Sequence, residues 1–340
     1  MKKCVLPLLL AGALAAPAWS QTEAPAPASD QTPVATEVSE AQEKVVVVGQ
    51  RPGPGLWKIS KGDNVLWVFG TYGPLPPKVQ WRSHEVQAIL ARSQEALSPP
   101  SATPKLGVFQ MARMVPHAFG LQKNPDGKTL KEVLPPDVYA RWETMRQQYL
   151  GDKNFERERP FFVAERLYGA GLRKAGLTTK GEVSSEIGKM VEQSKIKLTK
   201  IEIEFEVDDP SGLLKSFKRT SMEDAACLSS TMDRLEQDME VLKTRADAWT
   251  KGDVAEIRKL NFTDREGPCK GALFNTAVFK EGMKIEETEA RLRAAWLAAA
   301  EKALTTNAST FAVLSIKHMI EPTGMIAALQ AKGYQVDSPE

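Results

Sequence analysis

The chain has 340 residues, with 45 Lys and Arg against 43 Asp and Glu, for a formal charge of +2. A balance that close excludes a broad basic surface of the kind that holds nucleic acid or anionic membranes without specificity. Setting aside the N-terminal segments described next, roughly 290 residues remain, enough for one large domain or a core domain with a helical insertion.

Residues 1–20 read as a secretory signal peptide. Lys2 and Lys3 give a positive start, Val5 to Ala16 is an apolar run, and Ala18-Trp19-Ser20 stands at cleavage spacing. The run is shorter than the roughly 20 residues a bilayer span takes, and no other stretch approaches that length, so no membrane span is expected after signal removal. Cys4 precedes the run and is not placed to carry a lipid. Cleavage after Ser20 removes Lys2, Lys3 and no acid, taking the formal charge from +2 to zero. The expected localisation is export across the inner membrane into the periplasm. Residues 21–50, rich in Ala, Pro, Thr, Ser and Glu, bury too little apolar surface to offset their ordering entropy and read as a disordered tether. Val45 to Val48 within them is a candidate edge strand.

From Arg51 onward the chain reads as a single domain, residues 51–340. Leu56 to Trp81 opens it with an apolar strand, a Lys61-Gly-Asp-Asn64 turn, a second apolar strand, then Gly70-Thr71-Tyr72-Gly73 and a proline-rich exit. The spacing predicts a helix from Ser83 to about Leu97, a break over Pro99 to Pro104, a helix opened by Pro135-Pro136 with Val138, Trp142, Met145 and Tyr149 on one face, and another from Pro160 through Leu172. Leu198 to Val207 alternates Ile201, Ile203, Phe205 and Val207 with Glu202, Glu204 and Glu206, a strand with one buried and one acidic face. Ser221 to Trp249 carries Leu228, Met232, Leu235, Met239, Leu242, Ala246 and Trp249 at alternating steps of four and three, an unbroken heptad seam. With the helix from Ile285 to about Leu304 it is expected to form a long antiparallel hairpin, making residues 221–304 mainly helical; an intermolecular coiled coil is the alternative. A strand Thr310 to Ile316, a helix Thr323 to Ala331 and a strand Tyr334 to Val336 close the chain. The predicted class is α/β (α+β): a mixed central sheet flanked by helices, with the helical hairpin inserted. Cys227 and Cys269 remain after signal removal and are expected to form one disulfide in an oxidising compartment, with two buried thiols the alternative.

Leu56-Trp57-Lys58-Ile59, Gly62-Asp63 and Leu66 to Thr71, then Trp249-Thr-Lys-Gly252-Asp253, then Phe311 to His318 with Gly324-Met-Ile-Ala-Ala-Leu329 and Gly333-Tyr334-Gln-Val336, resemble the motifs of the TraB/PrgY/GumN family, relatives of the Tiki metalloproteases. In that family the first Gly-Thr is followed by one residue and a histidine, and a glutamate ends a strand near Leu97-Ser98-Pro99. Here the histidine position is Gly73 and the glutamate is missing. The second histidine survives as His318, while its GxxH motif reads Ser315-Ile-Lys-His318. The resemblance therefore implies a metal-hydrolase scaffold with degenerate motifs, whose remaining catalytic positions are His318 and Glu202.

Ligand arithmetic points the same way. A catalytic zinc takes three protein ligands and leaves an open position, yet the histidines are only His84, His117 and His318, with no HExxH or paired CxxC spacing. No cofactor is expected; should the protein be active, a divalent metal held by His318, His84 and Glu204 is the candidate arrangement. His318, past a strand end, reads either as functional or as a hydrogen-bonded remnant. Glu202, Glu204 and Glu206 read either as a cation face or as a solvated edge. Without a catalytic set, the expected function is a binding or assembly module in the envelope. Its cleft is formed by Thr71, Tyr72 and Gly73 with Trp67 and Trp81, and takes a peptide or envelope protein. A metal-dependent peptidase with relocated ligands and a helical homo-oligomer are the alternatives.

Overall fold

The structure is a computed structural model that describes residues 53–219, 222–260, 268–269 and 285–339. The signal peptide, the tether and the Val45–Val48 strand expected from the sequence lie outside the described residues.

A six-stranded mixed sheet forms the centre. β1 (Trp57–Lys61) and β2 (Asn64–Thr71) are the expected hairpin. β3 (Glu95–Leu97), β5 (Lys197–Thr199), β7 (Ser309–Ser315) and β8 (Gln335–Asp337) join them in the order β5-β3-β7-β2-β1-β8. β7 pairs in parallel with both β2 and β3, and its middle five residues are buried. A strand covered on both faces reads as a continuous apolar run, and Phe311-Ala-Val-Leu314 is one.

Several local expectations shift. The helix from Ser83 ends at Arg92 (α1), and Glu95–Leu97, expected as its last turn, is β3. Ser93 causes the break: its backbone is extended and its hydroxyl bonds back to the Ile89 carbonyl at 2.9 Å. The Pro99–Pro104 break holds a further strand, β4 (Ser101–Lys105), paired in parallel with β6 (Glu202–Glu206) as a separate two-stranded sheet. Pro104 is tolerated because β4 has only one strand neighbour. The expected Leu198–Val207 strand is thus two, β5 and β6, with buried Ile201 between them. Alternation survives the break: Glu202, Glu204 and Glu206 are exposed while Ile203 and Phe205 are half-buried.

α2 (Val108–Ala118) follows β4. α3 (Leu130–Val133), α4 (Pro136–Tyr149) and α5 (Pro160–Lys174) follow in turn, both longer helices opening on proline as expected. α6 (Glu182–Ser194) leads to β5, and α7 (Pro210–Arg219) follows β6. The heptad seam is present but not on one straight helix. α8 (Met222–Asp233) and α9 (Met239–Lys251) are joined by a π-turn over Arg234–Asp238. The turn divides the seam between two cores. Leu228, Met232 and Leu235 pack with Trp142, Phe161 and Leu167 among α3, α4, α5 and α8. Leu242, Ala246 and Trp249 pack with Phe69, Ile89 and Leu314 under the sheet, and Met239 touches both cores. The seam is thus packed within the chain. α9 ends where Gly252 takes a left-handed conformation (φ 75°), and α10 (Val254–Lys259) follows.

Rather than pairing with this seam along its length, α11 (Ile285–Thr306) lies against β2, β1, β3 and the β4/β6 pair. Its Trp296, Ala300, Ala303 and Leu304 are buried in the sheet core, because the sheet offers a wider apolar face than a single helix. α12 (Ile316–Ile320) and α13 (Met325–Ala331) complete the fold. Among the described residues, no helix is long and apolar enough to cross a membrane.

Two polar devices pin the sheet and the disulfide pins the helices. Glu95, 8% exposed, accepts from Lys197 Nζ at 2.7 Å, Asn307 Nδ2 at 2.8 Å and the Thr199 hydroxyl. Burial alone would raise its pKa, but these donors hold the carboxyl below its ordinary value. The Asn64 amide ties the opening turn to the Leu304 carbonyl at 3.0 Å. Cys227 and Cys269 form the expected disulfide across a separation of 42 residues. Closing a loop of that length stabilises by about 4 kcal/mol in the chain-entropy account. Reductant is therefore expected to lower the urea midpoint by a corresponding amount, read against the untreated protein.

Candidate functional site

β2 and β7 run parallel in a register that sets Gly70 beside Leu314 and Thr71 beside Ser315. Their carboxyl ends bring Thr71-Tyr72-Gly73 and Ser315 to His318 to one stretch of the sheet rim, where open α/β sheets take ligands. Thr71 Oγ1 donates to the Leu314 carbonyl at 3.1 Å. The Ser315 hydroxyl accepts from the His318 backbone N–H at 3.3 Å and so starts α12. Gly70 lets α12 fold back over the strand: a Cβ there would lie 2.8 Å from Ile316 Cδ1 and 3.0 Å from Met319 Sδ. The Trp249 indole donates to the Gly70 carbonyl at 2.8 Å, and its ring meets Phe69 edge-on.

The Tyr72 phenol turns inward. Its hydroxyl is buried beside the Arg245 guanidinium. Burial pushes its pKa above the ordinary value, against the opposing pull of Arg245 and Arg234. Arg245 is 5% exposed and donates to the Leu260 carbonyl at 3.2 Å; Arg234 donates to the Tyr168 hydroxyl at 2.8 Å and lies 4.1 Å over that ring. Two of the groups acting on Tyr72 are thus guanidiniums. Sequence reading missed this cluster. Its one trace was Arg245, a charge three residues after Leu242 on the buried side of the seam.

The other candidates disperse. His318 is exposed on α12, His84 is exposed in the first turn of α1, and His117 is half-buried in the last turn of α2. Glu202 accepts from Thr103 Oγ1 at 2.9 Å on the solvated side of β6, with Glu204 exposed two residues on. His318, His84 and Glu204, on α12, α1 and β6, do not form a metal-binding group among the described residues. Among the described residues, no three His, Cys, Asp or Glu side chains gather as a metal-binding group. Of the two tryptophans, Trp81 is buried against Phe69 and donates to Glu186 at 2.9 Å. Trp67 lies four residues inside β2, with Arg92 5.1 Å over its ring.

Two hollows lie near one another, the smaller of them at the rim. A shallow one of about 50 Å³ is bordered by Tyr72, Gly73, Leu75, Val79 and Glu182. The larger, about 430 Å³, lies between α6 and the β3, β5 and β7 strands, lined by Leu97, Ile187, Val191, Leu198, Phe311 and Val313, with Ser98, Glu192 and Lys195 also on its wall. Ser184 borders both hollows. That volume falls in the range of small-ligand and side-chain pockets. Gly188 lines it in mid-helix, where glycine costs about 1 kcal/mol against alanine, and a Cβ there would meet nothing within 4 Å. The glycine keeps the space open. Ser98, near the strand-end position where the resemblance would place a glutamate, is occupied structurally: its hydroxyl accepts from the Ile201 N–H at 2.8 Å.

A model of the TraB/PrgY/gumN family matches residues 55–338. No curated protein matches the chain, and no solved structure does.

Proposed function

The chain belongs to the TraB/PrgY/gumN family, and from that premise we propose that it is an exported, periplasmic member whose hydrolase centre has decayed and which acts as a binding or assembly module for a peptide or envelope protein. One observation carries the reading. The rim motif at the end of β2 offers Tyr72 beside Arg245, then Gly73, where the family pattern has an imidazole, so His318 has no nearby partner from β2. What supports recognition instead is a strand end, a buried phenol and, in the neighbouring hollow, an apolar cavity sized for a large side chain. An extended peptide with an apolar anchor fits those features.

Purified mature protein is expected to retain no stoichiometric zinc, manganese or cobalt after dialysis, by elemental mass spectrometry. On an array of peptides drawn from envelope proteins it is expected to bind without cutting, and Gly188→Phe, which fills the cavity, to abolish that binding. Stoichiometric metal that disappears in His318→Ala, together with metal-dependent cleavage, would reassign the protein as a peptidase using His318 with His84 or His117 and a carboxylate from Glu202 or Glu204.

A further inference from the structure

β5 ends the sheet on an open strand edge. It stands last in the strand order, and among the described residues its one strand neighbour is β3. The Thr199 carbonyl accepts from the Ser98 N–H at 3.0 Å. In a parallel ladder Thr199 and Lys197 therefore spend their backbone groups on β3, and Leu198 between them turns its N–H and carbonyl away from the sheet. The Leu198 side chain is 46% exposed and lines the cavity of about 430 Å³. Ser184, Gly188 and Glu192, each a turn apart along α6, are exposed on the same lining, as is Lys195. The mouth of the cavity thus lies between α6 and the open edge.

Whatever fills that mouth must also satisfy the edge. A hydrocarbon would cover the outward N–H and carbonyl of Leu198 without bonding them, and buried polar groups left without partners are costly. A second copy would set one three-residue strand against another, far less area than a stable dimer buries. An extended peptide supplies a backbone donor and acceptor at strand spacing together with a side chain for the cavity. The charges fix the character of that side chain. Lys197 is held by Glu95, Glu192 stands three residues before Lys195, and Glu202 two after Lys200, so these charges cancel. The wall behind them is Leu97, Ile187, Val191, Phe311 and Val313, which an uncharged apolar side chain complements. We infer that β5 is a docking strand: an extended segment of a partner protein adds to its edge through the Leu198 backbone and anchors one aromatic or branched apolar side chain under α6. This rests on the peptide-binding reading of the same cavity and adds the strand that holds the peptide backbone.

The test uses the full mature protein and, as probe, the tightest-binding peptide of the envelope array, followed by fluorescence anisotropy. Leu198→Ala shortens the side chain and keeps the N–H. Leu198→Pro removes the N–H as well, and because that group points away from β3 the ladder stays intact. Leu198→Pro is expected to weaken binding about tenfold relative to Leu198→Ala, the worth of one stranded hydrogen-bond partner. Methylating the backbone nitrogens of the probe one at a time needs no variant to fold. It is expected to abolish binding at every second position around the anchor, because alternate residues of a strand face its neighbour. Array peptides that bind and are lost in Gly188→Phe, yet ignore Leu198→Pro or show no two-residue period on methylation, would overturn the docking strand and leave the peptide reading standing. An array without a single binder would overturn both.

Discussion

Asp224→Ala is expected to lower the unfolding free energy by about 3–5 kcal/mol, read from urea denaturation, because it strands a buried charge. Arg159 and Asp224 are 0% and 1% exposed, and their side chains meet in two parallel bonds, Nε to Oδ2 at 2.7 Å and Nη2 to Oδ1 at 2.9 Å. Arg159 also donates to the Phe217 carbonyl, and its guanidinium lies 3.9 Å over the Phe217 ring. The pair thereby ties the start of α5 to α7 and α8 within the helical core. Removing one partner leaves the desolvation cost of the other uncompensated. Replacing both, as Arg159→Met with Asp224→Leu, is expected to recover most of the loss, since the attraction and the desolvation cost nearly cancel in an intact buried pair. A single variant as stable as the parent would show that water reaches the site.

Trp249→Ala is expected to cost about 3–5 kcal/mol, the usual range for deleting a fully buried tryptophan. The side chain is 0% exposed. Its effect should be local as well as global, because the indole N–H is the donor that satisfies the Gly70 carbonyl at the strand end bearing Thr71 and Tyr72. Trp249→Phe separates the two contributions: it keeps most of the packing and leaves that buried carbonyl without its indole donor, for roughly 1–3 kcal/mol. Hydrogen exchange at residues 70–73 should rise in both variants relative to a core truncation elsewhere, such as Leu329→Ala.

Much of the scaffold was legible before any coordinates. Continuous apolar runs located β2 and β7, and period-3.6 patterning located α4, because burial leaves its mark in the sequence. Proline placed the starts of α4 and α5. The motifs around Gly70 and His318 pointed to one rim, and the parallel register of β2 and β7 puts them there. The disulfide followed from the cysteine count and the oxidising compartment expected for an exported chain. Where the reading slipped, two local signals competed: the apolar run through Leu97 looked helical, but the β3 residues are held by strand neighbours from β5 and β7, far away in sequence.

What patterning could not supply was the identity of the surface each apolar face meets. The seam from Leu228 to Trp249 announced a partner, and only the fold gave its first half to α5 and its second half to the sheet, with a π-turn at Arg234–Asp238 between them. The same holds for polar groups. Arg159 and Asp224, 65 residues apart, carry no motif, and neither does the placing of Arg245 beside Tyr72. The physical reason is common to all of these. Periodicity records that a side chain leaves water, which is a property of one segment. Its partner and its charge compensation are properties of two or more segments, settled only when the chain closes on itself.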